Sequence, residues 1–407
     1  MAQSKPRQTF PLRRGLITLI AVAVATLAVL VTGRIGTLAP GGAAAASHSP
    51  GPSLEPSSAP AMSETPTPTA QPATAPPPTP TPTPTPLVPA PLTGRLVTVE
   101  AAQQHPIAVM VDDHADARPQ AGFNAASVVW QAPAEGGVPR YMLVFQENIA
   151  GDVGPIRSAR QYYVEWASEL RAMYVHHGGS PQAKATLAAK GNGSWVYNAD
   201  GFRWEGRFVF RATDRVAPHN VMTDGAHLRK LAKRIKATDG PIEPFWSFGA
   251  AAAPADRPAA GGTIKIVYPY ETVAYRYDPA SNRYLRFING SKKAQVDAAD
   301  GEVVAPTNVV ILRMLFGAIT DDTHGRLEAH NVGKGEAWIS TNGVTVKGTW
   351  RKASQTAPTL VFGPDGKPIT LTVGQTFVQV IALSYQYSIK DGALPGGSPA
   401  APTTAAP

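Results

Sequence analysis

Met173-Tyr174-Val175-His176-His177-Gly178-Gly179-Ser180-Pro181-Gln182-Ala183 is the stretch that decides how the folded part of this chain is read. An apolar run of β character stops at two histidines and two glycines, and a helix begins straight after. Gly178 and Gly179 permit a tight turn and close backbone approach. Ser180 is a good N-cap residue, and Pro181 suits the first helical position. The pattern predicts a helix through Lys190, stopped at Gly191. A strand, a polar turn and a helix in succession form the unit from which α/β layers are built. Free N–H groups at such a helix start favour an anion, and the two imidazoles beside them could bind or transfer protons.

The same alternation runs outward on both sides. Pro106–Val111 reads as a buried strand ending in Asp112-Asp113-His114, and Ser127–Gln131 and Arg140–Gln146 read as further strands. Ala159, Tyr163, Trp166, Ala167 and Leu170 recur at helical spacing, which predicts an amphipathic helix over 159–170 capped by Ser158. Phe208–Phe210 reads as a short strand. Asp224 caps a helix with Leu228, Leu231, Ala232 and Ile235 on its apolar face. Residues 93–237 are therefore expected to form an α/β globular domain.

Beyond Thr263 the helical period disappears. Thr263–Tyr268, Thr272–Tyr277, Tyr284–Phe287, Asn308–Leu315, Glu336–Ser340, Val344–Trp350, Thr359–Phe362 and Thr376–Leu383 read as strands. Asn289-Gly290, Asn342-Gly343 and Asp365-Gly366 mark tight turns between them. Residues 263–390 are expected to be a mainly β domain, joined to the first by an Ala/Pro/Gly-rich linker over 238–262. The tail, 391–407, reads as disordered.

The N-terminal part is of another kind. Gly15–Thr32 is an uncharged apolar run long enough for a membrane helix. Lys5, Arg7, Arg13 and Arg14 precede it, which places residues 1–14 in the cytoplasm and everything after the span outside. Cleavage as a signal peptide near Ala43–Ser47, giving a secreted protein, is the competing reading. Composition then shifts: residues 33–92, with Thr-Pro repeats over Thr65–Pro86, read as a disordered, polyproline-like spacer. Its Thr and Ser residues are open to glycosylation.

The 407 residues include no cysteine. That excludes disulfides, thiolate metal sites, a cysteine nucleophile and an N-terminal lipidated cysteine. The net charge of +8 suits an anionic surface such as lipid headgroups or a wall polymer. No nucleic-acid motif accompanies the charge, so no nucleic-acid partner is expected.

Ligands of open α/β sheets collect at the carboxyl ends of strands. If the strands are parallel, Asp112-Asp113-His114, Gly154–Arg160 and His176–Ser180 could meet on one edge, with 211–220 nearby. Arg157 and Arg160 could hold a phosphate or carboxylate bidentately, or pair with Glu135 or Asp113. His176, His177 and His219 with Asp112 lack any metal-site spacing, and adjacent strand histidines point to opposite faces, so no metal is expected. His177 is the better candidate of that pair. Ser158 and Ser180 read as caps rather than nucleophiles. Arg229, Lys230, Lys233, Arg234 and Lys236 cover the polar side of one helix.

Several motifs in order make the chain similar to the YerB-like bacterial lipoproteins, a family of unknown function. In 95–237 they are Ala117–Gln120, Ala134–Gly137, Gly154–Arg160, His177–Ser180 and Pro218–Asn220. In 263–383 they are Gly333–Ser340, Gly348–Lys352 and Gly374–Val380. The resemblance implies a two-domain, membrane-tethered, extracytoplasmic protein, and it supplies no activity, cofactor or catalytic residue. Without a cysteine this chain departs from the lipoprotein pattern, which leaves anchoring to Gly15–Thr32.

Two functional readings result. The first is a binding or scaffold module of the cell envelope for an anionic wall or lipid component, with Arg157, Arg160, Gly178, Gly179, Ser180 and Asn220 as the ligand contacts. The second is an envelope hydrolase or transferase, with His177 or His219 as acid/base and Asp112 or Glu135 orienting it. A single cleft holding Asp112, Glu135, Arg157, His177 and His219 would favour the second.

Overall fold

A computed structural model describes residues 86–394, apart from 150, 241 and 261, together with 403–404. Five strands come from the first half: β1 (Ile107–Asp112), β2 (Val128–Ala132), β3 (Arg140–Phe145), β4 (Met173–His176) and β5 (Tyr197–Asp200). The second half supplies β6 (Thr263–Val267), β7 (Thr272–Asp278), β8 (Arg283–Ile288), β9 (Asn308–Met314), β10 (Gly333–Thr341), β11 (Val344–Lys352), β12 (Leu360–Phe362), β13 (Thr376–Ala382) and β14 (Gln386–Lys390). The longer helices are α1 (Gln161–Ser168), α2 (Pro181–Lys190) and α3 (Gly225–Arg234).

The mixed α/β first part and mostly β second part match the sequence expectation. Their relation is closer than two beads on a linker. One ten-stranded sheet, ordered β12-β11-β10-β9-β13-β2-β3-β1-β4-β5, runs through both. The seam is the parallel pairing of β13 with β2, from Thr376 opposite Val128 to Gln379 opposite Gln131.

Continuous apolar strands of this kind are buried on both faces. In β1 the odd residues Ile107, Val109 and Val111 join one core cluster, and Ala108 and Met110 join the other. One face carries α1 and α2: Trp166 stacks on Trp130 with ring centroids 4.9 Å apart. The opposite cluster brings in Leu228 and Leu231 of α3 and the residues Ile264, Ile266, Val273 and Tyr275 of a second sheet. That second sheet is antiparallel, in the order β8-β7-β6-β14.

Local readings fare unevenly. Ser180 accepts from Ala183 N–H at 3.2 Å and caps α2, which ends at Gly191. Asp224 likewise caps α3 through His227 N–H at 2.8 Å. Ser158 does not cap α1; Arg160 is the N-cap, without a side-chain bond, and the helix is shorter than 159–170 at both ends. The reason is that Ala159 is held in extended pairing with Gly179. The turn at Asn342-Gly343 joins β10 to β11 with both residues at positive φ, 50° and 79°.

The ordered fold also reaches into segments read as unstructured. Leu87–Pro89 pairs with Leu96–Thr98, and Leu92 is buried, so part of 33–92 belongs to the fold. Within 238–262, Ser247–Gly249 pairs in parallel with Thr370–Thr372, and Trp246 Nε1 donates to Thr359 O at 3.0 Å. Backbone pairing and the apolar side chains of this Ala/Pro/Gly-rich stretch together fasten it. In the tail, Thr403–Thr404 pairs with Ser388 and Ile389. Among the described residues no helix is long and apolar enough to cross a membrane. The span expected at 15–32 lies outside them.

Candidate functional site

β1 and β4 are parallel and pair only from Ile107–Val109 against Met173–Val175. Past that point they part, and residues 155–159 enter between them. Asp112 N–H donates to Pro155 O, Arg157 N–H to Met110 O, and His177 N–H to Arg157 O. Gly154 makes the entry possible: its φ is 142°, and a Cβ there would meet Val221 O and Met222 Sδ at 2.9 Å.

This wedge sorts the candidates. On its β1 side, a cleft of about 330 Å³ is lined by Asp112, His114, Glu135, Val138, Arg140, Arg157, Arg160, His219, His324 and Arg326. Asp112 sits at its floor, almost fully buried. Its Oδ2 lies 2.7 Å from His219 Nδ1 and 3.1 Å from Arg157 Nε. Its Oδ1 accepts from His114 N–H at 3.2 Å. A carboxylate oxygen only accepts, so His219 gives its Nδ1–H to Asp112. Arg215 fastens the loop carrying His219 to the turn after His114, through 2.7 Å bonds to Ala117 O and Pro119 O.

Glu135 forms the second acidic centre. Arg160 Nη2 donates to it at 2.6 Å and Arg140 Nη2 at 3.3 Å, and Arg326 Nε stands 3.8 Å away. Burial works against its charge, but Arg160's hydrogen bond and charge, with Arg140's, outweigh that and hold its pKa below the ordinary range. Burial, then Arg160 beside it, pushes Arg140 down to about 10, so it remains a cation at neutral pH. The cleft lining thus sets four guanidiniums against two carboxylates, with Arg326 also bonded at 2.8 Å to Asp322, which is not part of the lining. The Nε atoms of Arg140, Arg157 and Arg160 are buried without an aligned hydrogen-bond partner in the protein, as is Glu135 Oε1. For Arg157 and Arg160 a carboxylate is near but off the N–H axis.

The other candidates stand elsewhere. His176 is buried, 2.8 Å from both Gly178 O and Asn198 Oδ1. His177 reaches Glu205 at 3.1 Å with its ring on Phe202, away from Asp112. At the glycine turn, Gly178 N–H is used by Asp200 Oδ1 and Ser180 N–H by Ala159 O, so those two donors are spent inside the fold. Asn220 accepts from Arg211 at 3.0 Å and donates to Ala212 O, closing its own loop. Asp112, Glu135, Arg157, Arg160 and His219 come together; His177, Gly178, Gly179, Ser180 and Asn220 do not join them.

Sequence reading placed His114 on the expected edge without a role, and it missed Arg140, His324 and Arg326. The last two arrive from the β-rich half, in the turn between Phe316–Ala318 and Leu327–Ala329. No local pattern signals such an approach. His114, Asp116 and His219 bring possible ligand atoms within 4.8 Å of one another. The two imidazoles, however, stack at 4.6 Å with planes 16° apart. In-plane lone pairs on stacked rings do not converge on one ion, so this arrangement is not a formed metal site.

Asp113, the next residue, turns away from the cleft into a buried polar joint. Gln131 Nε2 donates to Asp113 at 2.6 Å and to Glu271 at 2.7 Å, and Arg118 bonds both carboxyls. Arg286 adds 2.8 Å bonds to Gln131 Oε1 and Tyr141 Oη. Burial, reinforced by Glu271, raises the Asp113 pKa well above the carboxylate range. Glu271 and Arg286 come from the second half, so the floor of the cleft is braced across the seam.

The α/β part and the β-rich part correspond to the two domains of one protein family. The chain belongs to it: residues 92–238 match the N-terminal domain and residues 264–378 the C-terminal domain of the protein of unknown function DUF3048. Among individual proteins it is similar to the putative lipoprotein YerB of Bacillus subtilis (strain 168). The two are 29% identical over 302 residues, spanning 72% of this chain and 86% of that one. The crystal structure of YerB from Bacillus subtilis superposes with a TM-score of 0.64 at 27% identity, covering 72% of this chain and 96% of that one.

Proposed function

We propose that this protein is a membrane-tethered, extracytoplasmic binding module of the cell envelope. Its cleft takes an anionic envelope component bearing phosphate or carboxylate groups. One observation carries this reading: the guanidiniums of Arg140, Arg157, Arg160 and Arg326 converge in the cleft lining, which holds only the carboxylates of Asp112 and Glu135. An oxyanion in the cleft offsets the surplus positive charge through charge-assisted hydrogen bonds. Arginine suits the task through its fixed planar fork. The size of the cleft admits a sugar- or glycerol-phosphate unit. A relative described as a lipoprotein supports an envelope location, and the apolar run at 15–32 supplies the tether in place of a lipidated cysteine.

The test is retention of the detergent-solubilised full chain on isolated cell wall freed of membrane, where the apolar run at 15–32 has no bilayer to enter. Arg157→Gln with Arg326→Gln removes the two more exposed guanidiniums and should lower retention about tenfold or more, since each charged hydrogen bond is worth roughly 1.5–3 kcal/mol. Retention equal to wild type overturns the assignment.

Asp112 and His219 favour a second reading, acid–base catalysis, because a buried carboxylate on Nδ1 leaves Nε2 aimed for proton transfer. The cleft lining includes no hydroxyl or thiol side chain, so in this reading His219 would act on water or a substrate hydroxyl. Asp112→Asn separates the two. Losing a negative charge keeps or tightens anion binding, whereas acid–base turnover of envelope phosphoesters would collapse.

A further inference from the structure

Away from the cleft, α3 lies on the body through Leu228, Leu231 and Ala232, all buried. Its other side carries Lys230, Lys233 and Arg234, all exposed. With Arg207, Phe208 and His227 they line an open groove of about 540 Å³. Arg229 is not part of this face; its guanidinium is turned inward to His105 O and Gln146 O, at 3.0 and 2.7 Å. Among the described residues no carboxylate lies within ion-pair distance of Arg207, Lys230, Lys233, Arg234 or Lys236. The nearby acids are already engaged: Asp224 caps α3 and holds His227 at 2.6 Å, and Glu205 pairs with Arg211 and His177.

An aromatic side chain stands at the edge of this basic face. Phe210 is 37% exposed and meets the His227 ring edge-on at 4.9 Å. Unpaired cations on aliphatic stems beside an exposed aromatic ring match the two layers of an anionic bilayer surface. Phosphate headgroups take the charges, and the ring enters the interface. A polyanion in solution would use the cations alone and leave Phe210 in water.

We propose that this α3 face is a docking surface for an anionic phospholipid membrane, which lays the folded unit against the bilayer. It is separate from the cleft and stands or falls independently of the anion-binding reading. The attraction of these cations to an anionic surface is screened within a Debye length of roughly 10 Å at 0.1 M salt.

The experiment uses the full chain with nanodiscs of neutral phosphatidylcholine or of phosphatidylcholine with phosphatidylglycerol. Since the protein has no cysteine, Ala226→Cys offers a single attachment point for a polarity-sensitive fluorophore in the first turn of α3. Lys367→Cys, on the β-rich half, is the reference. The expected result is a blue shift at 226 with anionic discs only, reversed by 0.5 M salt. It should also be lost when Lys230, Lys233 and Arg234 are reversed to Glu, and reduced in the milder triple Gln variant should the reversed chain not fold. Arg157→Gln leaves the shift intact. Equal emission on both disc types, an equal shift at 367, survival of charge reversal, or displacement by a soluble glycerol-phosphate polymer would each overturn the proposal.

Discussion

His177 and His219 show how little a side chain's identity says about its work. Each is set against a carboxylate, but Glu205 and Arg211 form a half-exposed cluster, whereas Asp112 is buried at the floor of a cleft. Strand alternation sends His176 and His177 to opposite faces, with His177 the better candidate for the site, but neither lines the cleft. It could not show that residues 155–159 would stand between both of them and Asp112. At this scale Glu135 gives a test with a definite sign. Its pKa is lowered by folding, so its contribution is full above the unfolded value near 4.3 and is lost as pH falls through the folded value. Glu135→Gln should therefore cost about 2 kcal/mol at pH 7, judged by hydrogen bonds to charged partners. The deficit should shrink as the medium is acidified below pH 4, read by denaturant melts across pH.

Among the elements, readability followed how local the cause was. α2 was legible because Ser180, Pro181 and Gly191 are punctuation within one turn of it. The β10–β11 hairpin was legible because Asn342-Gly343 fixes its turn. The start of α1 was not, since its boundary is set by Ala159 pairing with Gly179, a contact made by another element. Ser180→Ala should then cost about 1 kcal/mol of stability. Ser158→Ala, which removes only a 3.0 Å acceptor from Arg160, should cost less than about 0.5 kcal/mol. Equal losses would mean that Ser158 caps a helix after all. The strap at 247–249 shows the converse: its low apolar content reads as a free linker, yet parallel pairing with Thr370–Thr372 and the Trp246 ring fasten the segment.

On the scale of the whole molecule, both domains were foreseen and their joint was not. Strand order is a tertiary fact, and nothing within β2 or β13 announces that they pair. Gln131 on β2 adds to the seam by linking Asp113, Glu271 and Arg286. The folded unit should accordingly melt in a single calorimetric transition; two separated transitions would mean independent halves. Asp113 imposes a pH dependence of opposite sign to Glu135. Its folded pKa is raised, so stability falls as pH climbs from the unfolded value near 3.9 toward the folded one. Asp113→Asn should flatten that decline.

The shared sheet also explains why the cleft has walls from both halves, with Arg326 and His324 set across from Asp112 and His219. Calorimetric titration of the full chain with glycerol phosphate, at low and moderate salt, tests the anion site most directly. Wild type should bind with salt-weakened affinity, and Arg157→Gln should weaken it about tenfold through a lost charged contact. No binding by wild type, or undiminished binding by the variant, would contradict an anion site in the cleft.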